Sequence, residues 1–440
     1  MVAIIEAERH VPVVAEADVV VLGGGPAGIA AAIAAARGGA RTLLLERYGF
    51  LGGMGTAGGV TNFCGLHANV HGEIRQVVHG VVDDLLDRLR RAGGLNEPHS
   101  VLGRTAAQSY DNALLKCVAD DAVIASGADI RFHTLAVGAT LEERRITALI
   151  IETKSGRGAV RAGQFIDCSG DADLAHWAGA PTLKGDDDGF VAFPTLMFRI
   201  GHVDDEPALK LGKPGLRRRI EAAQASGRTD LPRRSAFINP QHHAGEWRAN
   251  VTQIGIGGRP IDGTDWASLS AGEIEGRRQI RAYMAFFNDE VEGFENAYLL
   301  DIAPQVGIRE TRRLVGRVTV SAEDIEEARD CADAVGVNGW PIERHLKHEV
   351  DWRFPPGRGY HQIPFGAMVS QGVDNLLVAG RCASATPEGQ SSLRVSGPCF
   401  AMGEAAGTAA AMATGSGTSL TDPPLEMLQG KLKSNGVFLG

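Results

Sequence analysis

Residues 17–47, ADVVVLGGGPAGIAAAIAAARGGARTLLLER, constrain the fold more tightly than any other stretch of the chain. Residues 19–22 are a short apolar run of strand character, Gly23-x-Gly25-x-x-Gly28 follows at once, and residues 29–37 are alanine-rich and helix-forming. Gly38 and Gly39 end that helix, and residues 41–46 supply a second strand. A βαβ unit of this kind is what binding of a dinucleotide requires. Gly23 permits the tight turn, Gly25 lets backbone approach a pyrophosphate, and Gly28 lets helix and strand pack closely. The positive end of the helix dipole then faces the anion. Glu46 lies 21 residues beyond Gly25, where a carboxylate accepts hydrogen bonds from the adenosine ribose and disfavours a 2′-phosphate.

The remaining composition limits partners. With 44 basic against 53 acidic residues and a net charge of −9, the chain lacks the electrostatic footprint of a nucleic-acid binder. Its basic clusters, at 217–219, at Arg233 and Arg234, and at Arg312 and Arg313, are scattered and read as solvated faces. No apolar run approaches 18 residues, and the N-terminus carries acids where a signal peptide has a basic region. A soluble cytoplasmic protein with no membrane span is expected. The six cysteines have no C-x-x-C spacing, and the pairs His67/His71 and His345/His348 lack a third ligand, so no metal is expected.

Beyond Arg47, residues 48–73 are glycine-rich and read as one long functional loop. Residues 73–92 and 109–126 have the pattern of amphipathic helices. Residues 129–171 alternate short β-rich runs with turns, a meander ending in FIDCSGD. Residues 181–360 change texture, with an acidic turn and a long polar helix at 270–290, and the dinucleotide-domain texture returns with the strand VDNLLVAGR and the small-residue helix CFAMGEAAGTAAAMA. These features divide the chain into a discontinuous nucleotide domain, 14–180 and 361–415, an inserted substrate or cap domain, 181–360, and a mobile tail, 416–440. The fold class is α/β: a Rossmann-like domain with a β-meander, interrupted by an α+β insertion.

The glycine motif with its acid suits NAD and FAD equally, but an N-terminal βαβ unit, a meander, an insertion and a late return to the sheet describe a flavoprotein. Four blocks carry a resemblance: VVVLGGGPAGIAAAIAAARGGARTLLLERYGFLGGMGT, FIDCSGDADLAHWAGAP, FENAYLLDIAPQVGIRETRRLVG and IPFGAMVSQGVDNLLVAGRCASATPEGQSSLRVSGPCFAMGEAAG. Together they resemble soluble FAD-dependent oxidoreductases in the superfamily of the succinate dehydrogenase and fumarate reductase flavoproteins, with a glutathione-reductase-like FAD-binding fold. The resemblance implies FAD, with Gly23, Gly25, Pro26, Ala27 and Gly28 at the pyrophosphate, and Glu46 and Arg47 at the adenosine. It places Gly53, Met54, Gly55 and Thr56 under the pyrophosphate and flavin, and Ser169, Gly170 and Asp171 at the cofactor edge. Gly380, Arg381, Ser392 and Leu393 complete the expected contacts. Arg381 stands where many relatives have an aspartate for the ribityl chain, which leaves that partner open.

Within the last block, Arg394 sits among small residues just before Pro398, a residue suited to a helix's first turn. A permanent cation there suits a substrate carboxylate or the anionic reduced flavin; the alternative is an arginine tying loop carbonyls together. Oxidation of a small polar metabolite by hydride transfer to flavin N5 also needs a base. His67, His71 and Glu388 are the candidates for it, and Arg309 is a further catalytic candidate. No second glycine fingerprint is present, so electrons are expected to leave to oxygen, a quinone or an electron carrier. A homo-oligomer is expected. The alternatives are a flavin-dependent isomerase or dehydratase without net redox, and a tRNA-modification-type flavoprotein.

Overall fold

A computed structural model describes residues 4, 6, 8–228, 230–233, 237–347 and 350–440. Arg234 and His348, singled out above, lie outside the described residues.

The chain opens on β1 (Val13–Leu22), α1 (Pro26–Arg37) and β2 (Thr42–Leu45). β1 and β2 pair in parallel, Val19 opposite Thr42 and Leu22 opposite Leu45. Parallel sheets are buried on both faces, so their strands are continuous apolar runs. Val19, Val21 and Leu44 accordingly face the core that holds α1, while Val20, Leu22, Leu43 and Leu45 face a second apolar layer on the other side. β3 (Asp129–Arg131) adds to β2, and an antiparallel meander of β4 (Leu135–Glu142), β5 (Arg145–Thr153) and β6 (Gly156–Asp167) completes the order β3-β2-β1-β6-β5-β4. The late strand Leu376–Val378 returns to pair with the C-terminal end of β6.

After the short helix Pro387–Leu393, the helix Ser396–Ser416 lies against α1 with small residues at the crossing, and a Cβ on Gly403 would stand 2.1 Å from the Ala27 carbonyl oxygen. Gly403 and Gly407, four residues apart, share one face and let two backbones touch. Pro398 occupies the first turn of that helix, as expected.

A second core, from Leu196 to Ile308, holds a four-stranded antiparallel sheet of β7 (Phe198–Gly201), β8 (Phe237–Pro240), β9 (Trp247–Asn250) and β10 (Tyr298–Ile302). The helices Asp205–Ala225 and Trp266–Glu290 cover it, the latter containing the expected 270–290 helix.

Several expectations change. Val320, Val335, Val337 and Ile363 join the first core, so the second core ends well short of residue 360. The 416–440 tail carries the helix Leu425–Ser434, and Leu420, Leu428, Leu432, Val437 and Leu439 are buried in the first core. The 48–73 loop contains a 3-10 turn, Gly53–Gly55, and two short strands, Asn62–Cys64 and His67–Val70. The expected helix over 73–92 begins only at Val81, because Glu73–Gln76 pairs as a strand with His67–Val70. Arg233 and Arg313 are buried, not solvated.

Candidate active site

The two cores meet at one cavity of about 320 Å³. Its first end is made where β1 stops. Gly23 turns the chain with φ +96°, and a Cβ there would stand 2.5 Å from the Cys168 carbonyl oxygen at the end of β6. A Cβ on Gly28 would stand 1.7 Å from the Gly23 carbonyl oxygen, so the strand-to-helix turn closes only without a side chain. Gly25 differs: its backbone is extended, a Cβ meets only Gly53 Cα at 3.7 Å, and the residue lines the cavity. No side chain caps α1, which leaves its first N–H groups for a ligand.

Glu46 is buried on the same wall, with Oε2 accepting from Gly24 N at 2.7 Å and Oε1 from Tyr48 N at 2.9 Å. Pro26, Ala27, Arg47, Gly53, Met54, Gly55, Ser169, Gly170 and Gly380 line this cavity, as does the start of β4 through Leu135 and Ala136, which the sequence reading missed. Asp173, also on the wall, is held up at about 6, first by burial and then by Asp171 and Asp167. Arg381 lines the cavity but spends its donors on protein: Nε on the Gly170 carbonyl at 2.7 Å, Nη1 on that of Ile308 at 2.7 Å, Nη2 on Asp171 Oδ1 at 2.8 Å.

The other end is cationic. Arg248 on β9, Arg309 and Arg394 all line it. Arg309 donates to the Phe193 carbonyl and to Thr195 Oγ1, both at 2.6 Å, and to Asn250 Oδ1 at 3.3 Å, none of them an anion. Burial, then Arg394 and Arg233, disfavours its charge. Arg248 bonds the Val60 carbonyl, and with the Asn62 amide oriented to satisfy both its sides, Arg248 Nη2 donates to Asn62 Oδ1 at 3.1 Å. Among the described residues, the Nε atoms of Arg248 and Arg394 are buried without a partner. Among the described residues the carboxylate at this end is Glu343, 3.7 Å from Arg394, whose Nη2 also donates to the Glu343 carbonyl at 3.2 Å. His345 lies beside it on the wall, and Trp340, Trp352, Phe237, Leu102 and Lys213 continue the wall beyond. The helix Ser396–Ser416 starts at this end without a side-chain cap.

Several expected residues stand elsewhere. Glu388 is off the wall and paired with Arg344 at 2.6 Å. His67 is a core histidine, off the wall, lowered to about 4 by burial and then by His79. His71 sits exposed at a turn with φ +52°. Thr56 is buried and donates to the Leu51 carbonyl at 2.7 Å, and Asp171 is taken by Arg381 and Thr311. Ser392 donates to the Trp340 carbonyl at 2.6 Å, and neither it nor Leu393 nor Gly28 reaches the wall. Cys64 does line the cavity, but burial, then Glu343, pushes its thiol up to about 12. The sequence reading missed Arg248 and Glu343, and considered His345 only as half of a metal-ligand pair. A signal was available for Glu343 and His345: two residues apart, they share one face of any strand that holds them.

Comparison with known proteins bears on this geometry. The sequence matches the family described as FAD dependent oxidoreductase over residues 18–432. It is similar to thiamine thiazole synthase of Methanococcus vannielii, 31% identical over 152 residues, which are 34% of this chain and 51% of that protein. The chain thus matches about half the length of that curated relative. Among solved structures, a geranylgeranyl bacteriochlorophyll reductase-like protein from Thermoplasma acidophilum gives a TM-score of 0.47 at 14% identity, covering 96% of this chain and 84% of that one. The p-nitrophenol 4-monooxygenase of Pseudomonas putida gives 0.46 at 12% identity, covering 96% and 89%. With a family match over nearly its whole length, the chain belongs to the FAD-dependent oxidoreductases and is an enzyme that takes FAD as its cofactor.

Proposed function

We propose that this enzyme oxidises a small anionic metabolite bearing a hydroxyl or amino group, by removal of a hydride from carbon to flavin N5. One observation carries the reading: among the described residues, Arg248, Arg309 and Arg394 line one end of the cavity against a single carboxylate, Glu343. Buried cations of this kind are costly unless an anion completes them. A substrate carboxylate held bidentately by guanidinium groups would do so and would fix the orientation of the adjacent carbon.

The glycine end suits FAD. The uncapped N-terminus of α1 offers donors to the pyrophosphate, Gly25 leaves room beside them, and Glu46 retains acceptor capacity for ribose hydroxyls after its two backbone bonds. When bound, the flavin supplies the two-electron acceptor. The uncapped start of Ser396–Ser416 would favour negative charge at the arginine end. Domain boundaries belong to the same proposal: an inserted unit close to the 196–308 core supplies Arg248 and Arg309, and the surrounding nucleotide unit supplies the glycine wall and Arg394. Kinship with the succinate dehydrogenase and fumarate reductase flavoproteins is likewise inferred, from the four sequence blocks. The purified holoenzyme, mixed without oxygen with a panel of small 2-hydroxy and 2-amino carboxylates, should lose its visible flavin band with at least one; a flavin that none of them bleaches would overturn the reading.

A further inference from the structure

We propose that His345 is the proton acceptor of this oxidation and that Glu343 is the residue that positions it; the inference rests on the anionic, hydroxyl- or amino-bearing substrate argued above. Both belong to the short strand Ile342–His345, two residues apart, and both side chains line the cationic end of the cavity. Glu343 is anchored at several atoms. Its Oε1 lies 3.0 Å from His345 Nε2, its Oε2 accepts from Trp340 Nε1 at 2.9 Å, and its backbone N–H donates to Ser391 Oγ at 3.1 Å.

That anchoring settles the tautomer. Burial alone would raise Glu343, yet the hydrogen bond from His345, the nearby Arg394 guanidinium and the Trp340 hydrogen bond outweigh it and hold it low, so it is a carboxylate and only accepts. His345 Nε2 must therefore carry the hydrogen. The ring itself is held neutral by burial and then by Arg309, with Arg233 adding to the effect and Glu343 opposing it. A neutral ring with hydrogen on Nε2 presents a lone pair at Nδ1, and among the described residues Nδ1 has no protein partner. His99 also lines the cavity, but among the described residues no carboxylate is bonded to it, whereas His345 has Glu343.

The step balances as follows in atoms and charge. The substrate O–H or N–H proton passes to His345 Nδ1, the C–H electron pair leaves with its hydrogen for the bound FAD, and the C=O or C=N bond forms. Glu343 offsets the imidazolium so created. The resting ring is a weak base first because it is buried and then because Arg309 and Arg233 oppose its positive charge; the substrate's own carboxylate, seated among Arg248, Arg309 and Arg394, weakens the second of these. The seated substrate thus strengthens the base that it needs.

The test uses FAD-loaded His345→Gln, His345→Ala and Glu343→Gln with whichever panel carboxylate bleaches the wild type fastest. In His345→Gln the bleaching rate should fall by roughly 10²–10⁴-fold, with the flavin spectrum unchanged and the acidic limb of the rate-against-pH profile lost. Glu343→Gln should lose at least about tenfold, and added imidazole should restore part of the rate to His345→Ala. Nitrogen-15 spectra of the wild type should locate the ring proton on Nε2, a readout independent of turnover. A rate or acidic limb preserved in His345→Gln, or a proton found on Nδ1, overturns the base assignment while leaving the oxidation itself standing. A wild type bleached by no member of the panel overturns the oxidation and the base together.

Discussion

Glu404 and the motif glycines show how much one side chain decides here. Glu404 is 2% exposed in the helix Ser396–Ser416, where its Oε2 accepts the N–H of Val81, the first residue of the helix Val81–Arg91, at 2.7 Å. Burial raises its carboxyl from 4.5 to about 7, against the pull of that backbone bond. A folded-state value above the unfolded one means that the native protein binds this proton more tightly. The contribution of this one group to stability is therefore fully present below about 4.5, is lost as pH rises toward 7 and is constant above, a loss of roughly 3 kcal/mol for such a shift. Glu404→Gln keeps the acceptor and removes the charge, so its melting temperature should exceed that of the wild type at pH 8 and match it near pH 4.5; equal melts at both pH values would show the carboxyl to be unperturbed. The glycines separate fold from ligand. Gly28→Ala drives a Cβ to 1.7 Å from backbone oxygen and should yield unfolded or insoluble protein, whereas Gly25→Ala has 3.7 Å of room and should fold with the flavin lost. Absorbance per folded chain measures both.

At the level of elements, the crossing of α1 with Ser396–Ser416 is fixed by glycines, since a Cβ on Gly407 would stand 2.2 Å from the Ala31 carbonyl oxygen. Glycine to alanine in a helix ordinarily gains about 1 kcal/mol. Gly407→Ala should instead lose about 1–3 kcal/mol through forced separation of the helices, and urea unfolding reads the sign directly: a gain would show that the helices give way without cost. This contrast also explains what was legible in the sequence. The β1-α1-β2 unit and the Ser396–Ser416 helix were readable because their signals are local: a continuous apolar run, glycines at fixed offsets, a run of small residues. Asn62–Cys64 and His67–Val70 were not, since strands of three or four residues within a glycine-rich stretch carry no period long enough to register. The C-terminal helix was read as a tail because its buried residues, Leu428 and Leu432, show only one turn of pattern. Arg309 and Arg394 could be picked out, but Glu388 could not be told from Glu343, because which carboxylate reaches the cavity depends on how the strand Ile342–His345 and the helix Pro387–Leu393 lie against each other.

For the whole molecule, the cavity between the two cores sets stability against use. The core from Leu196 to Ile308 is apolar, yet the wall it presents carries Arg248, 5% exposed, with carbonyl, amide and thioether neighbours and, among the described residues, no carboxylate partner in its hydrogen bonds. Such a charge opposes folding unless an anion arrives, and any anion that binds the native state alone stabilises it by mass action. The two effects predict opposite responses of one substitution. Arg248→Met removes the buried charge at similar volume, so the substrate-free holoenzyme should melt higher, by about 1–4 kcal/mol on the scale seen when buried charges give way to apolar side chains. The same variant should lose the rise in melting temperature that a 2-hydroxy carboxylate gives the wild type. Thermal melts with and without that carboxylate decide the matter. A variant that melts lower without ligand would make Arg248 a scaffold residue tying Val60 to β9; one that melts higher but keeps the full ligand-induced rise would move the anion's seat to Arg309 and Arg394.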